Sequence, residues 1–323
     1  MKKIAPLILL LPIISIIALS LGATEVSELF RYIFNPFLNP ESASHQIIWQ
    51  IRAPRVGAAI LIGAALGMAG CLAQSSTNNP LADPAILGTS AGASLGVLLG
   101  VLTNLVSIGS AGAVVCAAIG AMAATLLTFS LARSALQLIT IGIGVSAILS
   151  AIVGLTLSAV SRPDARSISF WSFGSLSLVS SKTLYVLAPV LVIAAVIAWK
   201  IAPTLDLLSI GDASVRHIGH NAQRIRLSAF AILAVLVAVT VSSVGSIAFL
   251  ALAAPHIARY LCGPRNRVLV IYSGLIGALI LLIADTAARS AIPPFELPIG
   301  LLTSLIGAPI LILTLKKSGD IWR

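Results

Sequence analysis

Apolar runs of about 20 residues recur along almost the whole chain, and each is long enough to cross the roughly 30 Å hydrocarbon core of a bilayer as a helix. Of 323 residues, 58% are hydrophobic and 9% are charged, whereas a soluble domain carries about a quarter charged residues. The runs are rich in Leu, Ala, Ile and Gly and lack the alternation of a membrane barrel. The pattern predicts an all-α, polytopic membrane protein. Ten spans are expected, over about 4–22, 56–75, 86–108, 111–132, 138–160, 183–202, 227–244, 247–262, 268–285 and 299–315.

The formal net charge of +10 does not point to nucleic acid, because the basic residues sit at the ends of apolar runs. Ten spans place both termini on one side. Putting them in the cytoplasm assigns Lys2, Lys3, Arg133, Lys200, Arg216, Arg224, Arg226, Arg259, Arg265, Arg267, Lys316, Lys317 and Arg323 to that side. Seven remain outside: Arg31, Arg52, Arg55, Arg162, Arg166, Lys182 and Arg289. The excess of 13 over 7 follows the positive-inside rule. The N-terminal stretch reads either as a retained first helix or as a secretory signal. The three cysteines are dispersed in or at the end of apolar runs, which favours packing thiols over disulfides. His217 and His220, three residues apart, fit a solvated loop better than a metal pair.

Several stretches interrupt the hydrocarbon. Residues 23–55, 161–182 and 285–298 combine aromatics or prolines with polar groups, and short interfacial helices are expected there. Pro80 and Pro84 bracket a chain break, where Asn79 and Asp83 can satisfy freed backbone groups. Gly88, Gly92, Gly96 and Gly100 recur every four residues, as do Gly63 and Gly67. Such a stripe either admits a close neighbouring helix or borders a passage. In the amphipathic island 205–226, Gly211 and Asp212 can start a short helix that Gly219 would stop. Leu207, Ile210, Ser214 and Ile218 follow helical spacing, with Arg216, His217 and His220 near the end. A solvated loop and a docking helix both fit these residues. Neither a Walker A phosphate loop nor an H-E-x-x-H motif is present, and no carboxylate sits at the centre of an assigned span. The missing carboxylates weaken a carrier driven by an ion gradient, and the missing catalytic constellation weakens a membrane enzyme.

"RAPR" at 52–55, "GAALGMAG" at 63–70 and "NNPLADPAILGTSAGA" at 78–93 resemble, in this order, the signatures of the FecCD-type permeases of iron–siderophore and cobalamin ABC importers. The resemblance continues through "FWSFGSLS", "LLSIGDASVRHIG", "GSIAFLALAAPHIAR", "LLIADTAARS" and "ELPIGLLTSLIGAPILILTL". The chain departs from the family at Ala251, near which many relatives carry glycine, and at Ala53, where Leu is usual. The resemblance implies a type II ABC importer permease, one transmembrane domain over 1–323, in a bacterial plasma (inner) membrane. A ferric siderophore is the expected cargo, with cobalamin and haem as alternatives. It implies an inverted repeat of spans two to five and seven to ten, and a second permease subunit. A binding protein would dock outside on Arg52, Arg55 and Arg289. A cytoplasmic ATPase pair would hold ATP and Mg, with no cofactor on this chain. The loop at about 204–224 would be the coupling loop, with Leu207, Ile210, Gly211, Asp212, Ala213, Ser214, Arg216, His217, Ile218 and Gly219 as its docking helix. Gln74, Asn79, Pro80, Asp83, Pro84, Gly88, Gly92, Gly96, Pro255, His256 and Arg259 would be structural or pathway positions.

Overall fold

The computed structural model describes residues 4–22, 24, 26, 29–35, 38–85, 87–108, 110–132, 135–159, 173–177, 179–292 and 295–318. Lys2, Lys3, Arg133, Arg162, Arg166, Arg323 and most of the 161–182 stretch lie outside them. Among the described residues the regular structure is helical, with an isolated bridge between Ile292 and Phe295.

Helix α1 covers Ile4–Ser20, and two short helices follow, α2 (Leu29–Phe34) and α3 (Ala43–Gln46). A π-helical stretch, Ile47–Arg52, carries α3 into α4 (Ala53–Thr77). Then come α5 (Thr89–Leu102), α6 (Ala111–Leu131), α7 (Ala135–Ala159) and α8 (Ser181–Leu205). After a 3-10 turn at Asp206–Ile210 lie α9 (Asp212–His217), α10 (Ala222–Val244), α11 (Leu250–Cys262), α12 (Asn266–Ser290) and α13 (Ile299–Ser318). Each of the ten apolar runs coincides with one helix. Six helical segments, those containing α4, α6, α7, α8, α10 and α12, are long and apolar enough to cross a membrane. Within them α4, α10 and α12 are mostly buried and form the centre, while α6, α7 and α8 present large exposed apolar side chains such as Ile119, Leu155 and Ile193.

The segment 285–298 is not a short helix. Helix α12 runs on to Ser290, so Asp285 lies inside it, and an irregular link follows. Two further spans are shorter than expected. α5 has 14 residues and α11 has 13, or about 20 Å each. Both follow an irregular segment that ends on a left-handed residue, Gly88 (φ +82°) before α5 and Phe249 (φ +64°) before α11. Within a bilayer such irregular backbone must find partners inside the protein. Here Asn79 Oδ1 accepts from the Leu81 N–H (2.9 Å) and Asp83 Oδ1 from the Ala85 N–H (2.7 Å). Thr128 donates to the Leu87 carbonyl (3.2 Å) and Thr303 to the Ala248 carbonyl (3.0 Å).

The helix pairings of α4–α7 recur in α10–α13. α4 packs on α12 as α10 packs on α6, α5 on α6 as α11 on α12, α5 on α7 as α11 on α13, and α4 on α11 as α10 on α5. The first turn of α10 meets the last turn of α4 through Arg226 and Ser76, so the two leading helices are antiparallel and the repeat is inverted.

Glycines set the closest of these contacts. Gly63 and Gly277 face each other's carbonyls across the α4–α12 contact, Gly67 faces the Ser273 carbonyl, and Gly70 faces that of Ala251 in α11. Gly92 and Gly96 face the carbonyls of Gly120 and Cys116 in α6. The stripe on α5 therefore serves helix packing. A β-carbon on Gly70 would overlap the Ala251 carbonyl, whereas one on Gly154 in α7 would meet nothing within 4 Å. Gly70→Ala should therefore lower the unfolding midpoint in detergent, by an overpacking cost of about 1–3 kcal/mol, while Gly154→Ala should leave it unchanged or raised. Equal midpoints for the two variants would refute this account of the α4–α11 contact.

Candidate functional site

The island 205–226 folds into a compact knob. Leu208 and Val215 are fully buried and anchor it, while residues 209–214 and 216–221 are exposed. Gly211, at φ +86° and ψ 151°, joins the 3-10 turn to α9 in a conformation that strongly favours glycine. At the other end of α9, Gly219 is left-handed (φ +83°), its N–H bonding the Arg216 carbonyl and the His220 N–H bonding the Val215 carbonyl (both 3.0 Å). This pair of bonds is a Schellman stop. Asn221 then caps α10, accepting from the N–H groups of Gln223 (3.0 Å) and Arg224 (3.1 Å).

The expected apolar face needs one correction. Gly211 breaks the helical phase, so Leu207 is partly buried against the core while Ile210 (52% exposed) and Ile218 (53%) project outward. Gly211, Asp212, Ala213, Ser214, Arg216, His217 and Gly219 are exposed around them.

What fixes the knob is a polar lattice at its base. Arg226 grips Asp212 with both terminal nitrogens (2.8 and 2.7 Å) and donates its Nε to the Ser76 carbonyl at the end of α4 (3.0 Å). Asp206 accepts from the backbone N–H (3.0 Å) and side-chain amide (2.8 Å) of Asn266 at the start of α12, and the Ser75 hydroxyl donates to that amide's oxygen. Asn78 donates to the Leu208 carbonyl (2.7 Å). In the sequence Arg226 carries only a topology signal, and Asp206, Asn78 and Asn266 show no individual role. Their only signal was polarity at the ends of apolar runs.

Gln74 lies nearby, donating to the Leu252 carbonyl (3.2 Å) and accepting from Arg259 (3.1 Å). Pro255 is buried within α11, and His256 is partly buried on the next position. Pro80 is partly buried and Pro84 buried in the link before α5. Beyond that link, a chamber of about 480 Å³ opens between α5 and α7. Ser90 and Ser94 of α5, Ser146 and Ser150 of α7, and Ser246 line it, with Leu98, Val153, Leu157 and Phe173 supplying apolar wall. Among the described residues, the chamber lining contains no ionisable side chain. Five hydroxyls line an otherwise apolar wall, and the described lining holds no carboxylate for a bare cation.

The three arginines expected on an exposed rim are buried at the opposite end of the bundle: Arg52 4%, Arg55 6% and Arg289 6% exposed. Carboxylates and unpaired helix-end carbonyls draw them inward. Arg55 donates Nε to Asp285 (2.7 Å) and Nη1 to both oxygens of Glu296 (2.8 and 3.0 Å), and Arg289 lies 3.5 Å from Asp285. Arg52 donates to the carbonyls of Leu19 (2.7 Å), Ser20 (2.8 Å) and Thr24, and Arg289 to that of Ala18. These bonds neutralise the negative end of the α1 dipole and tie α1 to α4 and α12.

The Arg226 fork holds the Asp212 carboxyl below the usual carboxylate range. A lowered folded value stabilises the fold above the unfolded value of about 3.9, and that stabilisation fades as pH falls through the folded value. Arg226→Gln should therefore lower the unfolding midpoint at neutral pH, and its deficit relative to wild type should narrow below about pH 4. A deficit that stays constant from pH 7 to pH 3 would exclude the Asp212 pairing as its source.

Residues 8–317 match the FecCD transport family. The chain is 36% identical to the Fe(3+)-citrate import system permease protein YfmE of Bacillus subtilis, covering 96% of this chain and 93% of that one. It is 35% identical to the hemin transport system permease protein HmuU of Yersinia pestis, over 94% and 92% of the two chains. The vitamin B12 import system permease protein BtuC of Escherichia coli is 34% identical over 84% of each. Among solved structures, a metal-chelate type ABC transporter in an inward-facing conformation superposes with a TM-score of 0.85 at 29% identity, over 98% of this chain and 99% of that one. PsaBC from Streptococcus pneumoniae shares the fold alone, with a TM-score of 0.60 at 18% identity over 80% and 88%. The chain that carries the knob and the hydroxyl-lined chamber thus belongs to the FecCD transport family.

Proposed function

We propose that this chain is the membrane-spanning permease of an ATP-driven importer whose cargo is a ferric siderophore. The observation that carries this reading is the knob: two isoleucines, Ile210 and Ile218, exposed on a turn whose base is locked by Arg226, Asp206 and Asn78. A rigid apolar projection on a polar surface is the form of a docking element. In this reading all ten apolar helices belong to one domain that crosses a bacterial plasma membrane, with both termini and the knob in the cytoplasm. The ATPase pair grips the knob and supplies ATP with Mg, and this chain is not itself an enzyme. A second permease copy or paralogue closes the path that the chamber begins. The hydroxyls and the absence of ionisable groups among the described lining residues suit a coordinatively saturated, oxygen-rich chelate.

The binding protein docks at the opposite end. Arg52 and Arg289 shape that end from within. Arg55 is itself buried, but its Glu296 partner has a side chain 37% exposed and marks the way in for a docking carboxylate. A carboxylate of the binding protein engages Arg55 by displacing Glu296.

Two experiments test the reading. Replacing residues 211–219 with an equally long Gly/Ser stretch should leave a membrane-inserted protein that no longer co-purifies with its ATPase. The replacement removes Ile218, whose burial is worth roughly 1.5–3 kcal/mol, and a disordered loop also costs about 1–2 kcal/mol per residue to order. Normal ATPase yield and transport in that variant would remove the docking role. For orientation, a cysteine at Ser214 in a cysteine-free background should resist a membrane-impermeant thiol reagent in intact cells, and one at Asn104 in the α5–α6 connection should react. The reverse labelling would invert the topology.

A further inference from the structure

Among the described residues, Arg259 at the knob end meets no carboxylate. Arg259 projects from the last turn of α11, is partly buried, and makes one hydrogen bond within the described chain, Nη1 to Gln74 Oε1 at 3.1 Å. The amide nitrogen of Gln74 is held by the Leu252 carbonyl, which aims its oxygen at Arg259. A guanidinium has five N–H donors. Arg55, Arg226 and Arg289 meet carboxylates, but Arg259 meets a neutral amide. A partly desolvated charge served this poorly is costly unless an anion completes it.

The space for one adjoins it. A cavity of about 450 Å³ is bounded by Arg259, Arg265, Asn79, Pro264, Asp206 and Ser209 among others. Its ionisable lining is two guanidinium groups against one carboxylate, a balance of +1. That carboxylate is already occupied, with Asp206 Oδ1 accepting both the N–H and the side-chain amide of Asn266. Arg265, also in the cavity wall, is exposed and sits at the start of α12.

We propose that this cavity is a binding site for a phosphoryl oxyanion, held by the planar fork of Arg259 and by Arg265. A tetrahedral phosphoryl group matches guanidinium bidentately. The group comes either from the headgroup of an anionic phospholipid or from free phosphate. Basic pockets between helices at a membrane surface take headgroups, which makes the lipid the first source to test. The inference does not rest on transport or on ATPase docking.

The test uses the full chain, purified without its ATPase in neutral detergent with phosphatidylcholine. Its unfolding midpoint is followed against rising phosphatidylglycerol and, separately, against inorganic phosphate, with chloride at matched ionic strength as control. A saturable rise with lipid alone assigns the site to a headgroup, and an equal rise with phosphate assigns it to a soluble anion. Either supports the proposal, provided Arg259→Gln raises the half-saturating concentration at least tenfold while Arg259→Lys raises it less. Should Arg259→Gln not fold, exposed Arg265→Gln decides, with an unchanged starting midpoint and a severalfold weaker response. No saturable rise in wild type, or half-saturation unaltered in Arg259→Gln and Arg265→Gln, would overturn it.

Discussion

The close approach of neighbouring backbones to one face of α4 underlies the rest of the structure. Lipid tails are as apolar as leucine, so burying hydrocarbon gives helices in a bilayer little reason to associate, and tight packing must do it. Gly63, Gly67 and Gly70 let α12 and α11 come within backbone contact. That contact brings the polar last turn of α4 into reach of four other elements. Gln74 meets α11, Ser75 meets α12, Ser76 meets α10, and Asn78 meets the 3-10 turn. The knob is held by bonds that form only because the hydrocarbon above them is packed this closely.

The inverted repeat is not a copy. Gly88 before α5 packs against Val145 of α7, while Phe249 before α11 packs against Gly307 of α13. Large and small residues have exchanged sides. An aromatic residue at φ +64° is strained where glycine is not. Gly307, with no side chain of its own, leaves room for the Phe249 ring. The two halves therefore reach the same turn by different means, and substitutions at one of the four positions have no simple equivalent at another.

Much of the fold was legible because length and apolarity are local properties. The ten runs fell where the helices lie, and Gly211, Asp212 and Gly219 marked the bounds of α9 through backbone conformations that those residue types favour. The Asn79 and Asp83 turns were legible for the same reason. Long-range pairing was not. Arg52 and Arg55 read as docking residues because their partners, the α1 carbonyls, Asp285 and Glu296, are distant in sequence or belong to the backbone, whereas the Arg289 pairing with Asp285, four residues away, was within local reach. Arg226 read as a topology charge because nothing local links it to Asp212 or to Ser76. Leu207 was misplaced because a period of 3.6 residues was carried through Gly211, where φ changes sign. The glycine stripe on α5 left two readings open, since spacing alone does not say what faces it.

The clamp between Arg226 and the knob also has a mechanical meaning. Arg226 sits in the first turn of α10, a helix of 23 residues, or about 34 Å. The far end of that helix, Val244, is bonded to Ser175 (2.8 Å), and two residues on is Ser246, in the chamber wall. A stiff rod with a grip near one end and a glycine turn at Gly245 (φ +74°) at the other is a lever arm. A push on the exposed knob would travel from Arg226 along this rod to its far end beside the chamber wall, about 27 Å away.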